Sequence, residues 1–211
     1  MPENTRLSGS IDQINFEFVE RKATPRLLMR LSMQLDLAGL SISNTVSIIQ
    51  VFGVERARST VHNWVHKADL QPETGRSPDH VVVHEIVIQL DDETYWLYAA
   101  AEPDTNELLH NKLKPTTNSA LAHAFFNELR EKHGLDDAVV LIDGSASLKD
   151  ACNRHSLYFR IEPAGNRNSV ERICHEVKRR TSPFSNYFSH AAAETADDWL
   201  RSFGFAWNQL I

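Results

Sequence analysis

Two carboxylates in the second half of the sequence stand where an acid can do chemistry. Asp143 follows Ala138-Val-Val-Leu-Ile142, a short apolar run that reads as a buried strand, and it precedes Gly144. A carboxylate there leaves the core at the carboxyl edge of a sheet, where α/β domains place their sites. An Asp before Gly also makes a turn. Glu171 lies in Gly165-Asn-Arg-Asn-Ser-Val-Glu-Arg172, in the first turn of a helix read from Asn168 to Arg180. Around it stand Arg167, Arg172, Lys178, Arg179 and Arg180, against Glu171 and Glu176. A carboxylate among cations suits a metal ligand beside a phosphate backbone. A Glu in a first turn also satisfies the helix dipole.

The first half offers a different chemistry. Residues 37–68 divide into two helical segments around Gly53, the first capped by Ser41 or Ser43 and carrying Val46, Ile48, Ile49 and Val51. The second, read from Glu55 to Ala68, places Ala57, Val61, Trp64 and Val65 inward. It presents Arg56, Arg58, Ser59, Thr60, His62, Asn63 and Lys67 outward. Such donors and hydroxyls are what a helix-turn-helix offers to base edges in the major groove. An ordinary αα-hairpin with a solvated face has the same spacing. His62 and His66 are a metal-ligand distance apart along a helix, but the sequence shows no third ligand nearby. Arg21, Lys22, Arg26 and Arg30 form a basic arm suited to phosphate contacts, and a merely solvated basic face has the same pattern.

The elements that must position these groups follow from periodicity. Gln71-Pro-Glu-Thr-Gly-Arg-Ser-Pro78 reads as a linker. After it come strands at 81–90, 94–101 and 108–113, with turns at Asp91-Asp92 and Asp104-Thr-Asn106. A helix over 116–133 follows, with Gly134 as its C-cap. Then come the strand 138–142, a short helix over 145–154, a strand over 158–161, the Asn168 helix, and a final amphipathic helix over 195–210 with Trp199, Phe203 and Trp207. A meander followed by βα units gives an α/β fold, a mixed sheet with flanking helices, and the order fits a ribonuclease-H-like domain. The division expected is an arm (1–36), an all-α helix-turn-helix unit (37–70), a linker (71–80) and a ribonuclease-H-like domain (81–211).

Composition narrows the classes. The net charge is −6; residues 1–80 are neutral, and residues 81–211 carry the whole excess of acid. That argues against a nonspecific nucleic-acid coat but not against an enzyme with local basic groups. No window approaches 18 consecutive apolar residues, so no membrane span is expected. The N-terminus lacks the apolar stretch of a secretory signal. With Cys152 and Cys174 as its two cysteines, the chain is expected to hold reduced thiols in the cytoplasm.

Several runs together carry a resemblance. Leu40-Ser-Ile-Ser-Asn-Thr-Val, Arg58-Ser-Thr-Val-His-Asn-Trp-Val, Tyr95-Trp-Leu-Tyr-Ala-Ala, Leu129-Arg-Glu-Lys-His, Gly165-Asn-Arg-Asn-Ser-Val-Glu-Arg, Lys178-Arg-Arg-Thr and Ala206-Trp-Asn resemble the DDE transposases of the insertion-sequence-six family, its haloarchaeal branch most of all. The resemblance runs from about residue 25 to 211. It implies a helix-turn-helix that binds terminal inverted repeats, target DNA as a second DNA partner, a homodimer in the cytoplasm at the nucleoid, and two Mg2+ ions that serve strand cleavage and transfer. It maps the second and third catalytic carboxylates onto Asp143 and Glu171, which are then the metal ligands. The first falls on His84, where the family has Asp followed by Glu and Thr and this chain reads His84-Glu85-Ile86. Neutral imidazole offers one nitrogen and does not bridge two hard cations. Glu85 points to the opposite face of the strand. The expectation is a transposase with impaired catalysis or, alternatively, an inactive DNA-binding relative that represses transposition. A small-phosphoester hydrolase on the same fold would leave the helix-turn-helix without a use.

Overall fold

The computed structural model describes residues 24–162, 171, 172, 175 and 192–210. Three helices come first: α1 (Arg26–Leu37), α2 (Ile42–Val51) and α3 (Arg58–Lys67). Ser41 starts α2 by accepting the Asn44 N–H at 3.2 Å. After α2 the chain turns at Gly53, whose φ of +77° is open to glycine at little cost. All three helices pack against one another. Met29, Met33 and Leu37 of α1, Ile49 of α2, and Val61, Trp64 and Val65 of α3 are buried at their centre.

The sheet follows: β1 (His80–Leu90), β2 (Glu93–Ala101), β3 (Leu108–Lys114), α4 (Ser119–Lys132), β4 (Val139–Ile142), α5 (Ala146–Arg154), β5 (Tyr158–Ile161) and α6 (Ala193–Leu210). β1, β2 and β3 form an antiparallel meander, while β4 pairs parallel with β1 and β5 parallel with β4. The strand order is β3-β2-β1-β4-β5. A meander extended from its first strand by βα units, with helices on both faces, is the ribonuclease-H-like fold.

Alternation along each strand sorts the core into two layers. Val81, Val83, Tyr98, Ala100, Val140 and Ile142 face α4 and α5, meeting Phe125, Phe126, Leu148 and Cys152. Val82, Ile86, Leu97, Ala99 and Leu141 face the other way, toward Trp199, Leu200 and Phe203 of α6. That second layer is continuous with the core of the three-helix unit, because α1 and α3 also pack on α6. Asp197 ties α6 to the edge strand: it accepts the Leu113 N–H at 2.7 Å and pairs with Lys112 at 2.6 Å.

Three local expectations need correction. The second helix of the N-terminal pair begins at Arg58, not Glu55, and Ala57 is an exposed N-cap rather than an inward residue. Its β-region backbone (ψ 151°) keeps the preceding residues out of the helix. Gly134 does not cap α4. The cap is His133 in extended conformation, its ring held by the Leu109 carbonyl at 3.1 Å. Gly134 serves instead for close approach: its N–H donates to the Arg76 carbonyl, and a Cβ there would meet Ser77 Oγ at 2.9 Å.

Candidate functional site

His84 is the polar member of the row Val82–His84–Ile86 on the α6 face of β1, with Ala99 as its cross-strand partner. Asp143 is the first residue past β4. The β1–β4 register pairs Val82 with Leu141, so two residues further on Asp143 comes level with His84, on the same face. The side chains meet: His84 Nδ1 lies 3.3 Å from Asp143 Oδ2, and both are partly exposed. The other oxygen, Oδ1, accepts the Ser145 N–H at 3.0 Å. Gly144 between them has φ +92°. The carboxylate thus closes a turn with one oxygen and faces imidazole with the other, which unites the two readings of Asp143 open from sequence.

Glu85 lies on the opposite face of the same strand. Its two oxygens stand 3.4 Å from Ser145 Oγ and 3.2 Å from Ser147 Oγ, and the two hydroxyls are 2.8 Å apart. Directly opposite it on β2 is Tyr98, fully buried, its phenol pushed up first by burial and then by the charge of Glu85. Sequence reasoning assigned no role to this group. The signal available was parity: alternate residues of β1 take opposite faces, and two serines follow the Asp-Gly turn.

Glu171 and Arg172 are helical; Glu171 is half-buried and Arg172 exposed. Arg172 donates to Asn106 Oδ1 at 3.1 Å. Asn106 lies in the β2–β3 turn, where Asp104 stands 4.0 Å from His80. His84 is further along β1, roughly 13 Å from His80 at the usual strand rise. The structure therefore brings His84 and Asp143 together and ties Arg172 to the β2–β3 turn, beside the start of β1. Arg167, Lys178, Arg179 and Arg180 lie outside the described residues, as does most of the helix read from Asn168 to Arg180.

Among the described residues, the donor set at this sheet edge is one imidazole and one carboxylate. Among the described residues no three His, Cys, Asp or Glu side chains form a group that could hold a metal ion. Mg2+ requires oxygen ligands in near-octahedral geometry, and a pair of ions requires a bridge. These residues do not fit a Mg2+ pair.

On α3, Arg58, Ser59, Asn63 and Lys67 are exposed, and Thr60 and His62 half-buried. Arg58 reaches Ser43 Oγ at 3.5 Å. Arg56 is not part of this helical face: it precedes α3 and donates to Thr24 Oγ1 at 2.8 Å and to the Glu55 carbonyl at 2.6 Å. His62 and His66 rings meet edge-on, and His66 faces Asp198 of α6 at 3.7 Å. Burial lowers the pKa of both rings. No described helix is long and apolar enough to cross a membrane.

Fold and site together define a ribonuclease-H-like domain whose sheet edge carries an imidazole–carboxylate pair, preceded by a three-helix unit. No protein-family model matches the chain. It is 25% identical over 207 residues, 94% of its length and 96% of the other's, to an uncharacterized protein of Methanocaldococcus jannaschii. It is also similar to a chain in the structure of the simian T-cell lymphotropic virus intasome in complex with PP2A regulatory subunit B56 gamma. That match has a TM-score of 0.44 and 11% identity, and covers 80% of this chain and 66% of the other, just under two thirds. A further solved structure is the HTLV-2 integrase catalytic core domain in complex with magnesium (TM-score 0.42, 12% identity, 60% of this chain and 86% of the other). At these scores the fold class rests on the strand order and connections of this chain.

Proposed function

We propose that this protein is a DNA-binding member of the DDE transposases, of the insertion-sequence-six family and its haloarchaeal branch, in which metal-dependent strand cleavage and transfer is crippled at His84. The observation that carries the reading is the 3.3 Å contact between His84 and Asp143. The residue that departs from the family motif meets the second motif carboxylate across adjacent strands. An imidazole in place of a bridging carboxylate removes a negative charge from a site meant for two dications. Loss of one such ligand lowers the rate by several orders of magnitude.

In this reading the three-helix unit is a helix-turn-helix and α3 its recognition helix. The exposure of Arg58, Ser59, Asn63 and Lys67 supports it. The partners are terminal inverted repeats and target DNA, and the working form is a homodimer at the nucleoid. The same contact favours a second reading, a repressor: a protein that keeps its DNA-binding face and carries His84 in place of the first motif carboxylate occupies inverted repeats or pairs with active relatives without cutting.

Strand transfer on an inverted-repeat substrate with Mg2+ or Mn2+ separates the two. Measurable transfer by the parent chain supports an impaired transposase. Tight, salt-sensitive binding without transfer supports the repressor. Equal affinity for inverted repeats and unrelated DNA, unchanged by Arg58→Ala and Asn63→Ala, overturns both.

A further inference from the structure

We infer that Glu85 is the positioning residue of the Asp143 turn, gripping it from the opposite face of β1. The strand holds the turn from both sides through consecutive residues. His84 meets Asp143 Oδ2 on the α6 face at 3.3 Å. Glu85 meets Ser145 and Ser147 on the α5 face at 3.4 and 3.2 Å. The two grips are linked through Ser145, whose N–H donates to Asp143 Oδ1 at 3.0 Å while its hydroxyl faces Glu85.

A carboxylate suits this task. Two oxygens accept two hydroxyl donors at once, and charged acceptors make the stronger bonds. Ser145 is the N-cap of α5 and makes no side-chain capping bond to it. Its hydroxyl is engaged with Glu85 and Ser147 instead. Gly144, at φ +92°, is the pivot between Asp143 and the gripped serines. A freed turn would swing Asp143 about that pivot, and an error of 1 Å in a ligand is enough to spoil a site.

The functional consequence rests on the reading of this sheet edge as an altered metal site. Glu85 then governs how well a restored carboxylate pair, in His84→Asp, holds a divalent ion. Partners of this kind typically change metal affinity by roughly 10–100-fold.

The test uses the full chain with Glu85→Ala and Glu85→Gln, each in the parent and in the His84→Asp background. In the parent, the readouts are amide exchange at Ser145 and the ring nitrogen shifts of His84, with thermal midpoints as the control for global effects. Glu85→Ala should speed Ser145 exchange at least tenfold and shift the His84 ring toward its value in Asp143→Asn. Glu85→Gln, which still accepts one hydroxyl and donates to the other, should restore both. In His84→Asp, Mn2+ binding followed by electron paramagnetic resonance should weaken roughly 10–100-fold with Glu85→Ala and recover with Gln. Unchanged Ser145 exchange and His84 shifts in Glu85→Ala overturn the inference. If His84→Asp binds no Mn2+, the reading of an altered metal site fails, and the parent readouts still decide the role of Glu85. Should Glu85→Ala not fold, Ser145→Ala with Ser147→Ala removes the same grip, and the same two readouts apply.

Discussion

Replacing His84 with Asp should make the stability of the fold depend on a divalent ion. Nδ1 of His and Oδ of Asp stand at the same branch point of the side chain. The new oxygen therefore falls near the present Nδ1, which is 3.3 Å from Asp143 Oδ2. Two unit charges about 4 Å apart repel by about 1 kcal/mol in water and about 4 kcal/mol at the effective dielectric of a protein surface. Both side chains are partly exposed, 22% and 27%, so a value between these limits applies. Oxygens sharing one edge of a Mg2+ octahedron are about 3 Å apart, given metal–oxygen distances of about 2.1 Å. The spacing that penalises the empty pair is the spacing a cation bridges. In thermal denaturation with EDTA, His84→Asp should lose about 1–3 kcal/mol relative to the parent. Mn2+ or Mg2+ at 100 times its dissociation constant should return about 2.7 kcal/mol. The parent should be indifferent to both treatments. If His84→Asp matches the parent in EDTA and ignores added metal, the pair is not a site where a carboxylate would meet a second carboxylate, and the reasoning is refuted.

Three further outcomes follow from the packing. Gly204→Ala should destabilise by about 1–3 kcal/mol in urea titration, because a Cβ there would meet Leu108 Cδ2 at 2.6 Å and Pro72 Cγ at 3.1 Å. Asp197→Ala strips the Leu113 N–H and Lys112 of their common acceptor and should cost about 2–4 kcal/mol by the same measurement. The bond from His110, with help from Lys114, holds the Glu128 carboxyl down to about 2, from an ordinary value of 4.5. A depressed acid contributes stability that is present above pH 4.5 and lost as the pH falls toward 2. Urea unfolding from pH 6 to 2 should therefore show a shallower acid limb in Glu128→Gln than in the parent. An equally steep limb in both would refute it.

Much of the sheet was legible because its strands announce themselves through parity and turn chemistry. Val81 to Leu90 is β-branched and apolar and ends on Asp91, which takes the positive φ of 50° that a tight turn demands. Asp143 could be placed at a sheet edge because an apolar run stops on it. The start of α3 was misread because Ala57 fits an apolar helical stripe, and stripe alone does not locate a cap. The role of Gly134 was invisible, since it depends on Ser77 and Arg76, distant in sequence. The Glu85 grip was half legible. The face on which Glu85 points follows from alternation, but that Ser145 and Ser147 arrive beneath it depends on the β4–α5 connection folding back against β1.

The shared apolar layer beneath α6 has a consequence for the order of events during synthesis. Trp64, Val65 and Met33 belong to the same cluster as Trp199, Leu200 and Phe203. The first three helices leave the ribosome early, yet part of the wall they pack on is made only after the whole sheet. At ~5–20 residues per second the interval between α3 and α6 is roughly 6–25 s. During it the nascent helical unit exposes the side chains that α6 will cover. Fragments that stop before Ala193 should accordingly unfold at lower urea concentration than the full chain. A cell making this protein releases the helical unit with its α6 contacts complete only when the sheet portion arrives with it.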